Sequence, residues 1–363
     1  NPAGWLHRVA RNKAVDILRK AKTFKHLQPE LQHLLQSEYT LSSTVQQCFE
    51  EEEIMDSQLR MMFACCHPSI PVEAQMALIL KTLCGLGTAE IAKAFLKEEE
   101  TIAKRIYRAK EKIRSEHISL ELPGFPKIAH RLTAVLHSLY LLFNEGYNSS
   151  LPEHLIREDL CEEAMRLTYL LAKHPATNGP GTHALLALFC FQASRLRARL
   201  DDEGNIVLLK YQDRRRWNQP LIQHGNYYLE LATQDETSVY HLEAAIAWLH
   251  ASAPDFEHTN WKAIYHLYSE LSRYHPSDIL LLNKAIAASY AIGRKSAINE
   301  LMEIKSLDNY YLYHTAIGEI YFDDGLDEQA KQCFQTALDL TTSPAEQQLL
   351  RNKIRACKGT SPG

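Results

Sequence analysis

The sequence predicts an all-α chain, and three observations carry that prediction. Apolar residues recur at helical spacing over most of the length, proline and glycine break those stretches apart, and a period near the C-terminus repeats a helix pair. Sheet signal is confined to Ile206-Val207-Leu208-Leu209, a short extended piece expected after the turn residues Asp201 to Asn205. With 363 residues, 45% hydrophobic and 23% charged, the composition is that of a globular chain with room for two or three domains. A formal charge of −4 means that any nucleic-acid surface is local rather than a property of the whole chain.

The first element, residues 1–25, is an amphipathic helix. Leu6, Val9, Ala10, Ala14, Ile17 and Ala21 form one stripe, and Arg8, Arg11, Asn12, Val15, Arg19 and Lys22 stand on the other side. On spacing alone this is any basic helix, with a membrane-surface role also open. Residues 26–54 follow as a connector rich in Gln and Ser that closes on Glu50 to Glu53. From Gln28 to Ser57 there is no Lys or Arg, so the chain runs basic, acidic, then basic again.

Residues 55–120 are expected to hold a second unit of several short helices. Asp56 to Cys66 and Val72 to Leu83 read as supporting helices separated by His67-Pro68-Ser69-Ile70-Pro71. Gly85 and Gly87 end that pattern, and Thr88 is expected to cap a short helix with Glu90 in its first turn. Beyond Leu96-Lys97, Ile102, Ile106, Ala109 and Ile113 define one buried face, while Thr101, Lys104, Arg105, Arg108 and Lys112 lie away from it. A tight turn before an amphipathic helix with outward cations is the layout of a helix-turn-helix that enters the major groove. A solvated basic face on a core helix fits the same spacing.

The phrases Gly-Leu-x-x-x-Glu-Ile-Ala at residues 85–92 and Thr-Ile-Ala-Lys-Arg-Ile-Tyr-Arg-Ala-Lys-Glu-Lys-Ile-Arg at 101–114 resemble the fourth domain of bacterial extracytoplasmic-function sigma factors. Leu59 to Pro68 extends the resemblance toward the sigma factors with a long helical-repeat extension. Trp5 to Asp16 resembles the last helix of sigma domain two, so both halves stand in the family's order. The resemblance implies that Thr88, Glu100, Thr101, Lys104, Arg105, Arg108 and Lys112 meet the −35 element, and that Arg8, Arg11, Asn12 and Arg19 work near −10. It implies promoter DNA and core RNA polymerase as partners; with no chelating cysteine spacing, signal peptide or long apolar run, a reduced cytoplasmic chain is expected, with no cofactor, metal or membrane. The earlier helices of domain two are not in this sequence, so the chain as it stands is not expected to support initiation. Glu98, Glu99 and Glu100 depart from the family pattern; they suit the positive end of a helix but repel phosphate, and Glu100 is a candidate acceptor for a cytosine amino group.

Leu122-Pro123-Gly124-Phe125-Pro126 marks a boundary. From residue 127 to 357 helical periodicity continues, through His130 to Phe143, Ile156 to Ala172, His183 to Leu200, Gln219 to Leu231, Val239 to Ala251, Asn260 to Arg273, Ile279 to Ala291 and Arg294 to Ile304. Gly146 is expected to stop the first of these. His314, Ile317, Gly318, Tyr321, Gly325, Ala330, Phe334 and Ala337 fit the positions of a tetratricopeptide repeat, and a looser unit phases on Gly293. Such pairs bury their faces by stacking, so a curved array is expected, with a concave surface for a regulatory protein or peptide or for the chain's own packing. Trp217 and Asn218, after Arg214-Arg215-Arg216, are expected to anchor and cap the next helix, with a charged contact surface as the other reading.

No HExxH, Gly-rich phosphate loop or GxSxG is present, and the eight cysteines show no chelating spacing. Cys65 and Cys66 are neighbours on a helix and point apart, which favours structural roles. The function expected is therefore that of a sigma factor whose helical tail regulates it, and not an enzyme. The other reading is a tetratricopeptide-type interaction scaffold whose helix-turn-helix is a structural cap.

Overall fold

The computed structural model describes residues 59–83, 85–95, 97–118, 125–149, 155–233 and 237–357. The expected domain-two helix, with Arg8, Arg11, Asn12 and Arg19, and the acidic connector lie outside these residues. Among them the chain is all-α, and no strand forms; the sole extended feature is an isolated antiparallel bridge between Leu200 and Ile206. It closes the turn foreseen there: the Asp201 carboxylate accepts from the backbone N–H groups of Glu203 and Asn205, and Gly204 supplies a φ of +83°. The extended piece is shorter than expected, because Leu209 already begins a 3₁₀ turn to Tyr211.

Four helices make the first unit: α1 (59–65), α2 (Val72–Thr82), α3 (Thr88–Ala94) and α4 (Glu99–Ser115). The proline break between α1 and α2 is pinned by the buried Gln75, whose amide donates to the carbonyls of His67 at 3.0 Å and Ile70 at 2.7 Å. Every residue of α2 from Ala74 to Leu80 is buried, because α4 packs on one side of it and α5 on another. Its apolar surface is thus part of the chain's own core. Cys65 and Cys66 belong to that core; burial pushes the Cys65 thiol up to about 11, and Thr82 contacts its sulfur at 3.6 Å.

The remaining helices are α5 (Phe125–Tyr147), α6 (Glu158–Lys173), α7 (Pro180–Ser194), α8 (Gln219–Leu231), α9 (Val239–Ser252), α10 (Trp261–Tyr274), α11 (Asp278–Ala291), α12 (Arg294–Met302), α13 (Tyr311–Asp323), α14 (Asp327–Leu340) and α15 (Pro344–Ala356). Their order follows the predicted periodicity, but α5 begins five residues before His130, and α7 ends at Ser194, short of the expected Leu200, where a 3₁₀ turn over Leu196–Ala198 takes over. Each packs on its chain neighbour, with α7 at the centre of the first half, where it touches α6, α8 and α9. Burial of twelve of its fifteen residues explains its lack of an amphipathic pattern. α5 ends within the expected Phe143 to Tyr147 phrase, but Gly146 is not its left-handed cap. It lies inside α5, which runs to Tyr147, and allows a close approach: a Cβ there would sit 2.7 Å from the backbone nitrogen of Cys161 and 2.9 Å from the carbonyl oxygen of Arg157.

α13 and α14 form the helix pair that the repeat spacing foresaw. Gly318 lets the Phe334 ring lie against the α13 backbone, Gly325 turns the chain with a φ of +73°, and Ala330, Phe334 and Ala337 are fully buried. The array bends back on the loop that follows α7. Lys210 pairs with Asp323 at 2.8 Å, and Lys353 lies over the Tyr211 ring, so residues 199–211 sit inside the curve.

Candidate nucleic-acid interface

The α3–α4 unit is built from short-range rules. Ile91 donates its backbone N–H to the Gly87 carbonyl, so Gly87 is the cap and Thr88, half-buried, is the first residue inside α3. The expected Thr88 cap is displaced because the Glu90 carboxylate reaches back to the Gly87 N–H, the reciprocal bond of a capping box. α4 begins at Glu99 with its first turn closed on the Glu98 carbonyl, by Thr101 N–H at 3.0 Å and Ile102 N–H at 3.3 Å. It stops where His117 takes a φ of +51° and Ile118 donates back to the Ile113 carbonyl.

One side of α4 is fixed in the core by Ile102, Ile106 and Ala109, with Ile113 packed at its edge. The opposite side faces solvent. Glu100, Thr101, Lys104 and Arg108 are exposed, whereas Arg105 and Lys112 sit on the flank and are half-buried. Lys104 pairs with Glu100 at 2.7 Å, Lys112 with Glu116 at 3.6 Å, and Arg114 with Glu111. The two lysine pairs are exposed i,i+4 pairs, which contribute about 0.3–0.5 kcal/mol, too little to withhold a lysine from phosphate. Sequence reading missed Tyr107, which stands 66% exposed in the middle of the outward side, one turn beyond Lys104. Its i+3 spacing from Lys104 was the available signal.

The tail meets this unit elsewhere. Arg157, at the start of α6, donates to the Glu90 carboxylate of α3 and to Asp159. Arg131 of α5 donates to the Phe63 carbonyl of α1 at 3.0 Å from a buried position. One apolar cluster runs without interruption from Leu59 and Ile102 through α5 to Ala247 of α9. The outward side of α4 takes no part in these contacts.

Residues 60–113 match sigma-70, region 4, and residues 131–233 match a family of unknown function (DUF6596). Over 357 residues the chain is 36% identical to an uncharacterized protein of Rhizobium meliloti (strain 1021), covering 98% of this chain and 84% of that protein. The chain belongs to the same family as that protein. No solved structure matches it. The region 4 match supports a sigma-factor family and a sigma-like role in promoter recognition, and it spans α1 to most of α4. Region 4 is thus the unit whose outward α4 face no other described element covers, and the stretch matched by the family of unknown function supplies Arg131 and Arg157. Among the described residues no helix is long and apolar enough to cross a membrane.

Proposed function

We propose that the chain acts as an extracytoplasmic-function type sigma factor, with region 4 reading the −35 element through α4 and the helical tail regulating it. The observation that carries this reading is the exposure of Thr101, Lys104 and Arg108 on a helix whose other side is locked into the core. In this reading Lys104 and Arg108 hold phosphates or guanine edges, Thr101 and Glu100 at the helix start approach base edges, and Arg105 and Lys112 reach the flanking backbone. Arg8, Arg11, Asn12 and Arg19 would serve the −10 side. Promoter DNA and core RNA polymerase are the partners.

The tail is read as a tetratricopeptide-like array, supported by the α13–α14 pair and by Gly293, whose φ of +137° opens α12. Its regulatory role is supported by the Arg157–Glu90 and Arg131–Phe63 contacts, which give any movement of α5 and α6 a route to α3 and α1. A second reading has an observation of its own. Region 4 shares its core with the tail as a terminal cap would, which suits a scaffold with a structural helix-turn-helix.

A photo-crosslinking side chain at position 107, in the full chain assembled with core polymerase and promoter DNA, separates the two. Crosslinks to duplex near −35, absent when the same group replaces Tyr274 on the tail, are expected. Crosslinks to protein alone would favour the scaffold.

A further inference from the structure

At the junction of α7, α9, α10 and α11, a niche of about 220 Å³ is lined by Arg195, His250, Gln192, Asn283, Tyr268 and Trp261 among aliphatic side chains. Arg195 is the cation that lines it, with Arg214 behind it at Trp217, and no described carboxylate pairs with either. Arg195 and Arg214 both lie over the Trp217 ring, 5.4 and 4.1 Å from its centre. Arg214 donates once, to the His250 carbonyl. Among the described residues, the buried Nε of Arg195, the Nε and Nη2 of Arg214 and the Nδ1 of His250 have no hydrogen-bond partner. Asp255, whose charge reaches Arg214, is engaged with His258 instead.

Buried guanidinium N–H groups without an acceptor are costly, and a protein interior rarely leaves them so beside a cavity without use. Burial and the charges of Arg195 and Arg214 drive the His250 imidazole down to about 3, so it is neutral and able to donate from one nitrogen. Beside these polar groups the lining is aliphatic and aromatic, from Phe191, Leu209, Ile246, Ile264, Ile286 and Trp261. The niche shares Leu209, Trp261, Asn283 and Ile286 with a larger cavity of about 640 Å³ inside the curve of the array, which gives it an approach.

We propose that this niche binds a small organic carboxylate with an apolar body, its carboxylate held by Arg195 and His250 and oriented by Gln192 and Asn283, its body against Trp261 and the aliphatic wall. Arg195 closes α7 within the second sequence match, while His250, Trp261 and Asn283 belong to helices beyond residue 233. The ligand therefore bridges the two halves of the tail. This assignment stands apart from the promoter-reading proposal, since it is read without DNA.

The test uses the full chain with benzoate and hexanoate as probes, and benzyl alcohol and inorganic phosphate as controls. Thermal unfolding and tryptophan fluorescence are followed to about 10 mM, the range in which a weak single-carboxylate site saturates. A saturable rise in Tm with either carboxylate, and none with benzyl alcohol or phosphate, is expected. Arg195→Gln and, independently, His250→Phe are expected to weaken that binding by about tenfold or more, the loss of one charge-assisted hydrogen bond. Absence of a saturable response to both carboxylates in the unsubstituted protein overturns the proposal. So does an equal response to benzyl alcohol or phosphate, or a folded Arg195→Gln protein that binds as before.

Discussion

Gly146 shows how a single missing Cβ sets the approach of two helices. The atoms that an added methyl would strike are the backbone N of Cys161 and the backbone O of Arg157, and these cannot rotate away. Gly146→Ala is therefore expected to lower stability by about 1–3 kcal/mol, the usual cost of forced overpacking, measured by denaturant unfolding. Glu243 makes a different residue-level prediction. Burial raises its carboxyl from 4.5 to about 7, only partly offset by the Tyr140 hydroxyl that donates to it at 3.2 Å. Its folded pKa lies above its unfolded one, so the folded state holds the proton longer, and this group's contribution is fully present below pH 4.5 and lost as pH rises toward 7. In Glu243→Gln that component disappears. Stability of the unsubstituted protein, measured relative to the variant, should fall across this interval; a difference that is flat with pH would contradict the assigned burial.

At the scale of elements, nearly every helix of the tail was legible because its apolar period survives in the sequence, as in α8 and α11, whose bounds match the expected ones within a residue or so. What escaped were features decided by contacts distant in the chain or by competition between caps. Thr88 was the better cap by residue type, yet Glu90 could satisfy the Gly87 N–H from within the helix, and so moved the start by one position. Gly146 looked like a helix stop because glycine often is one; only the proximity of α6 reveals its use. On α4 the cationic residues stand out by charge and spacing, whereas Tyr107 carries no charge and an aromatic ring on an amphipathic helix is ordinarily a core residue. Within this element Ile106→Ala, which leaves the exposed cations untouched, is expected to cost about 2–4 kcal/mol of stability and to weaken DNA binding only through unfolding. Duplex binding measured well below the variant's midpoint temperature should be close to that of the unsubstituted chain.

Across the whole molecule, region 4 and the tail are joined by a shared core, and the boundary at Leu122 to Pro126 does not divide their packing. The sequence could place the boundary from its prolines, but nothing local in it could announce that α5 would cover α2 or that Arg157 would find Glu90, 67 residues away. Unfolding of region 4 and of α5–α9 is accordingly expected to be one cooperative step. Arg131→Met, which leaves the Phe63 carbonyl without its donor, is expected to lower the stability of both parts together, read by hydrogen exchange in α2 and α7. Loss of protection in α5 alone would show that the two parts are independent. The claim on which the account turns is that the outward side of α4 meets a duplex while this joined body holds it in place. Its most direct measurement is the salt dependence of duplex binding by the full chain, compared with Lys104→Ala/Arg108→Ala. Every phosphate that a cation no longer neutralises makes the slope of log K against log salt shallower by about 0.9, so the double variant should bind more weakly with a slope reduced by roughly 1.8. Equal affinity and equal slope in the two proteins would contradict it.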